Sequence, residues 1–131
     1  MTSSLPKQNI GDKDYQVVYE PETQTVTFDG VLSLSSTKEY APIAELLEKV
    51  LRELSASDTA AAATPPQLTL NLATLEFLNS SGINVLSRFV IRARDAAQVQ
   101  LVVQGSKTVI WQTRSLKNLQ RLMPALAIEW V

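Results

Sequence analysis

The 131-residue sequence contains no cysteine and no histidine. Without cysteine there is no disulfide, no thiol nucleophile and no zinc–thiolate site. Without histidine the chain lacks the usual general base near neutral pH and the commonest metal ligand. Ser-His-Asp and Cys-His catalysis are excluded by inventory. Only four glycines are present and they stand far apart, so there is no phosphate loop of Walker or Rossmann type. Long apolar runs are missing too, and none approaches the roughly 18 residues that a bilayer span needs. Met1 to Lys13 is polar and has no apolar signal core. These absences lead us to expect a cytoplasmic protein with no cofactor, no metal, no membrane partner and no catalytic activity of its own. The acids are scattered, and Glu45, Glu48 and Glu53 read as the wet face of a helix.

Net charge is -1, from 12 basic and 13 acidic residues, which gives no global electrostatic reason to bind nucleic acid. The densest basic group, Arg88, Arg92 and Arg94, reads as a solvated helix face. Hydrophobic residues make up 45% of the chain, enough for the core of one domain.

Met1 to Asp14 reads as a flexible tail, and residues 15–131 as a single domain. Tyr15 to Tyr19 and Thr25 to Leu32 are β-branched and aromatic, and Pro21-Glu22-Thr23-Gln24 between them is a turn, so the pair predicts a hairpin. Ile43, Leu46, Leu47, Val50, Leu51 and Leu54 recur at helical spacing. Ser36 and Glu39 resemble a capping box, but Pro42 belongs in a first turn, so a short turn from Ser36 should precede a helix beginning near Ala41. Ser55 to Pro66 is rich in Ser, Ala, Thr and Pro and reads as a flexible loop. Leu68, Leu70 and Leu72 alternate as a third strand, followed by a loop and a second helix from about Ser81 to Ala97. Val99 to Val103 has the pattern of a strand buried on both faces. A third helix from roughly Lys107 to Met123 should turn Val109, Ile110, Leu116, Leu119, Leu122 and Met123 inward. Ala127 to Val131 is the last strand. The order β-β-α-β-α-β-α-β predicts an α/β fold with a mixed sheet, a hairpin first and parallel crossovers after it.

The informative stretch is Leu75-Glu76-Phe77-Leu78-Asn79-Ser80-Ser81-Gly82-Ile83, at the entry to the second helix. Ser80 or Ser81 can cap that helix by accepting an orphan N–H of the first turn. Gly82 allows close backbone approach. A phosphate on a serine here would sit at the positive end of the helix dipole and add about -1.5 to -2 charges. The same residues are ordinary capping chemistry when no regulation is involved.

The stretch resembles the phosphoacceptor loop of the STAS domain, the fold of bacterial anti-anti-sigma factors (anti-sigma factor antagonists). That family shows an apolar-x-Phe-x-Asp-Ser-Ser/Thr-Gly-apolar loop after a buried strand. Here Phe77 is followed by Asn79-Ser80-Ser81-Gly82-Ile83, with Asn79 in place of the usual Asp. The resemblance covers about Tyr15 to Val131. It implies a non-catalytic, protein-binding regulator acting in transcription control. Ser80 would be the phosphoacceptor, with Ser81 second, and Asn79, Ser80, Ser81, Gly82, Ile83, Asn84, Ser87 and Arg88 would form the partner surface. The implied partners are an anti-sigma factor that is a serine kinase of the kinase-ATPase fold, and a serine phosphatase. Two other readings stay open: an unphosphorylated scaffold domain of a signalling assembly, and a small-molecule or lipid-binding STAS module. Trp111 falls on the flank of the third helix, where partial burial against the sheet competes with partner contact. Trp130 reads as core or edge packing.

Overall fold

The computed structural model describes residues 6–36, 38–56, 66–97 and 99–131. In chain order the elements are β1 (Gln8–Gly11), β2 (Tyr15–Glu20), β3 (Thr25–Leu32), α1 (Ala41–Ala56), β4 (Gln67–Leu78), α2 (Ser80–Ala96), β5 (Gln100–Gly105), α3 (Ile110–Leu122) and β6 (Ala127–Trp130). The six strands form one sheet whose spatial order follows the sequence, β1-β2-β3-β4-β5-β6. The first two pairings are antiparallel and the last three are parallel. The expected mixed sheet, with a hairpin leading into α-β crossovers, is what the chain forms.

The sheet is sided. Val17 pairs with Phe28 and Tyr19 with Val26, then Val26 with Leu70 and Leu70 with Val103, so these residues share one face. All are buried, and they join Leu46, Leu47 and Val50 of α1, Leu86, Phe89 and Val90 of α2, and Leu116 and Leu119 of α3 in a single core. The opposite face carries Gln16, Thr27, Asp29, Asn71, Gln104 and Glu129, the polar partners of a period of two. The three helices therefore cover one face only. The expectation that the Val99–Val103 strand is buried on both sides holds at its centre: Leu101 and Val103 lie under the helices, and Val102, paired with Thr69 on the opposite face, is only 7% exposed.

Several boundaries differ. Within the expected N-terminal tail, Gln8–Gly11 is an edge strand paired with Gly11↔Gln16 through Gln8↔Tyr19. Its four residues hold one large apolar side chain, Ile10, too little for a periodic signal, and the pairing comes from the neighbouring strand. Residues 1–5 lie outside the described residues. Helix α1 starts at Ala41 as expected, and Ser36 and Glu39 form a separate turn before it, with Glu39 N–H donating to Ser36 O at 3.1 Å. Ser55 and Ala56 belong to α1 and not to the loop assigned to Ser55–Pro66; residues 57–65 lie outside the described residues.

The largest difference concerns β4. It does not end near Leu72 with a loop after it, but runs to Leu78, directly into α2. Past Leu72 its inward residues are Leu75 and Leu78, a spacing of three produced by register shifts against β3, which mask the alternation. The expected helix from Lys107 is shorter, Ile110–Leu122, and Ile110 is 91% exposed, not inward. The inward positions are Gln112, Leu116, Leu119 and Met123, a clean helical stripe whose first member is polar.

Candidate functional site

The candidate site is the junction of β4 and α2. One residue, Asn79, connects the strand to the helix and is the helix N-cap: its backbone is extended, and its Oδ1 accepts from Gly82 N–H at 3.0 Å. The capping role assigned to Ser80 or Ser81 therefore belongs to Asn79. Asn79 makes three further hydrogen bonds, two through its side chain and one through its backbone. Its Oδ1 accepts from the Tyr40 hydroxyl at 2.5 Å, its Nδ2 donates to Leu34 O at 2.7 Å, and its own N–H donates to Leu32 O at 3.1 Å. The strand end, the β3–α1 connection and the start of α2 are thereby tied at one side chain.

This geometry explains why Asn serves here. A carboxylate caps the helix and accepts from Tyr40 equally well, but it has no donor for Leu34 O. Tyr40 is protonated and able to donate at neutral pH, and burial pushes its phenol pKa further up from the ordinary 10.0.

Ser80 is the first residue of α2 and is exposed; Ser81 is half-buried. Gly82 is buried, and a Cβ there would lie 2.3 Å from Leu78 Cδ1 and 2.7 Å from the Tyr40 hydroxyl. The glycine thus lets α2 sit down on Leu78 and Tyr40. Ile83 packs partly against the core. Of the expected surface residues, Gly82 therefore presents no side chain outward. Ser80, Asn84, Ser87 and Arg88 recur at helical spacing along the outer side of α2, where Asn84 and Arg88 are exposed and Ser87 half-buried.

Sequence reading missed an apolar surface at the same end of the sheet. Val31, Phe77, Ile110 and Val131 are the exposed large hydrophobic residues among those described, at 42%, 45%, 91% and 65% exposure. Val31 pairs with Phe77 across β3 and β4. Trp111, half-buried, donates its Nε1 to Glu76 O at 3.0 Å and so brings the start of α3 beside that pair. Val131 closes the C-terminal end of β5, donating to Gly105 O at 2.8 Å and accepting from Lys107 N–H at 3.2 Å. All four residues therefore lie where the parallel strands end and helices α2 and α3 begin. Trp130 is half-buried against the core. A cue was available for Phe77 alone, which stands beside the motif.

The remaining charged groups do not assemble at this end. The Glu48 carboxylate, expected on a wet face, is half-buried and ion-paired with Arg92, and Arg94 binds Asp95 and Leu122 O. Among the described residues no group of three acidic side chains is arranged to hold a metal ion, and no helix is long and apolar enough to cross a membrane.

No family model and no curated protein matches the chain. Solved structures do. A chain of the complex of the diguanylate cyclase SiaD with its activator SiaC, from Pseudomonas aeruginosa, superposes with a TM-score of 0.66 at 15% identity, covering 95% of this chain and 99% of that one. SiaC of the same organism gives 0.61 at 14% identity, covering 97% of each chain. Its apo form gives 0.59 at 13% identity, covering 95% and 99%. Over 95% of its length the chain thus shares the mixed α/β fold of SiaC.

Proposed function

We propose that this protein is a non-catalytic regulatory module that binds a partner protein through the end of the sheet where α2 begins, with Ser80 as a phosphorylation switch. The carrying observation is that Ser80 and the exposed large apolar side chains lie at the same end of the sheet. Monomeric surfaces seldom gather such residues at one place, and gathered ones mark interaction sites. Ser80 is exposed at the positive end of a 17-residue helix and takes no part in the cap, so a phosphate there leaves Asn79 and Gly82 undisturbed. Next to Phe77 and Val31 the same phosphate opposes docking by desolvation and charge.

The structural neighbours bear on the kind of partner. SiaC is described as the activator of a diguanylate cyclase, which supports a signalling enzyme as the regulated partner. The kinase-ATPase-fold anti-sigma factor and the serine phosphatase rest on the resemblance of the Asn79–Ile83 loop alone.

The test is partner affinity for wild type, Ser80→Ala and Ser80→Asp, with mass spectrometry of Ser80 and Ser81 in protein from its native cell. Ser80→Ala should bind like wild type and lose the modification, and Ser80→Asp should bind at least about tenfold more weakly. Equal binding by all three, with no phosphate on either serine, favours the unphosphorylated scaffold instead.

A further inference from the structure

Helices α1 and α2 leave a groove between them on the face turned away from the sheet. A hollow of about 210 Å³ has Leu47, Val85 and Phe89 as its floor and Glu48, Arg88 and Arg92 at its rim. It continues toward the C-terminal ends of both helices past Arg52. The floor side chains are nearly buried, at 0%, 8% and 4% exposure, so the hollow is apolar at depth.

The rim charges decide what fits. Arg92 is bound to Glu48, so those two charges cancel. Arg88 and Arg52 make no ion pair or hydrogen bond among the described residues and are exposed. Asp95 also lines the extension but is paired with Arg94, so the groove presents a net positive rim over an apolar floor. A guanidinium offers a planar fork that matches a carboxylate. Glu48 also keeps one buried carboxylate oxygen without a partner among the described residues.

We propose that this groove seats an acidic segment of the partner protein, with one large apolar side chain on Leu47, Val85 and Phe89 and a carboxylate on Arg88. The proposal rests on the partner-binding function above and extends it. Arg88 lies eight residues beyond Ser80 on α2, about 12 Å along the helix axis. That exceeds the screening length of roughly 8 Å at physiological salt, so charge on Ser80 and charge at Arg88 are largely screened from each other and the groove is a contact separate from the Ser80 switch.

The experiment needs no natural partner, so its failure is separate from failure of the Ser80 switch. The full chain selects binders from a phage-displayed library of random peptides, and the enriched peptides are synthesised. Acidic sequences carrying a Leu, Phe or Trp should be enriched. Arg88→Glu should weaken them at least about tenfold, Arg88→Lys by less, and charge reversal on α3 by Lys117→Glu should have no effect. Amide shifts on peptide addition should center on Ala44 to Glu48 and Val85 to Arg92. Thermal melts should show Arg88→Glu folded like wild type. Selection of neutral or basic peptides, equal binding to Arg88→Glu, or no enrichment overturns the proposal. So does binding of phosphatidylglycerol vesicles in place of peptides, or self-association of the chain that Arg88→Glu abolishes.

Discussion

Two strand-to-helix junctions stand side by side at the same end of the sheet, and they solve one problem by opposite means. Each must satisfy the first N–H groups of a helix and the last carbonyls of a strand. At the β4–α2 junction the solution is local in its core: Asn79 caps three residues ahead and reaches back to Leu34 and Tyr40. At the β5–α3 junction Val109 gives no side-chain cap. There the fully buried Gln112 carries the load. Its Oε1 accepts from Ser106 N–H at 2.7 Å, and its Nε2 donates to Leu72 O at 2.6 Å and Leu75 O at 3.0 Å. Those carbonyls lie where β4 has outrun β5, whose pairing with it ends at Asn71↔Gln104. A buried carbonyl without a partner costs free energy, so one amide from a distant helix finishes the strand. A capping motif is recognisable because its partners are neighbours in sequence, whereas a buried glutamine that closes another strand is not.

The comparison predicts unequal sensitivity. Gln112→Leu should be the most damaging change, because it leaves Ser106 N–H, Leu72 O and Leu75 O unsatisfied together. A loss of about 3 kcal/mol or more in urea unfolding is expected. A smaller loss than that caused by Asn79→Ala would reverse the ranking of the two junctions.

Asn79→Asp should cost about 1–2 kcal/mol, since the cap survives but the donor to Leu34 O is replaced by a carboxylate oxygen facing a carbonyl. Hydrogen exchange should show the loss in the β3–α1 connection more than in α2. A gain in stability would mean that the helix-dipole benefit of the negative charge outweighs the lost bond.

The smallest effect concerns pH. Burial raises the phenol pKa of Tyr40 in the folded state above its ordinary 10.0. The unfolded chain therefore releases this proton first, so the stabilisation is intact below pH 10.0 and is lost as pH rises through the folded value. Tyr15 and Tyr19 are shifted the same way, also chiefly by burial. Thermal melts should show an alkaline decline that Tyr40→Phe makes shallower. An unchanged slope in Tyr40→Phe would assign the decline to the other two tyrosines.

The sequence by itself determined the architecture of this protein. Alternation in Tyr15–Leu32 and Leu68–Leu72, and the helical stripes of α1 and α2, are properties of neighbours along the chain and set the order of elements. The start of α2, at Ser80 and one residue before the expected Ser81, followed from the Asn-Ser-Ser-Gly run for the same reason. Tertiary structure decided the rest. It drew Gln8–Gly11 into the sheet, because an edge strand takes its hydrogen bonds from a partner and needs little periodicity of its own. It prolonged β4 through irregular register, put Gln112 where an apolar residue was expected and left Ile110 outside. It also gave the cap to Asn79 and set Val31, Phe77 and Ile110 at the end of the sheet where α2 and α3 begin. Apart from the β1 pairing, these outcomes depend on groups 35 to 46 positions apart, such as Trp111 with Glu76 and Asn79 with Leu34, whose encounter is set by how strands and helices stack and not by local pattern.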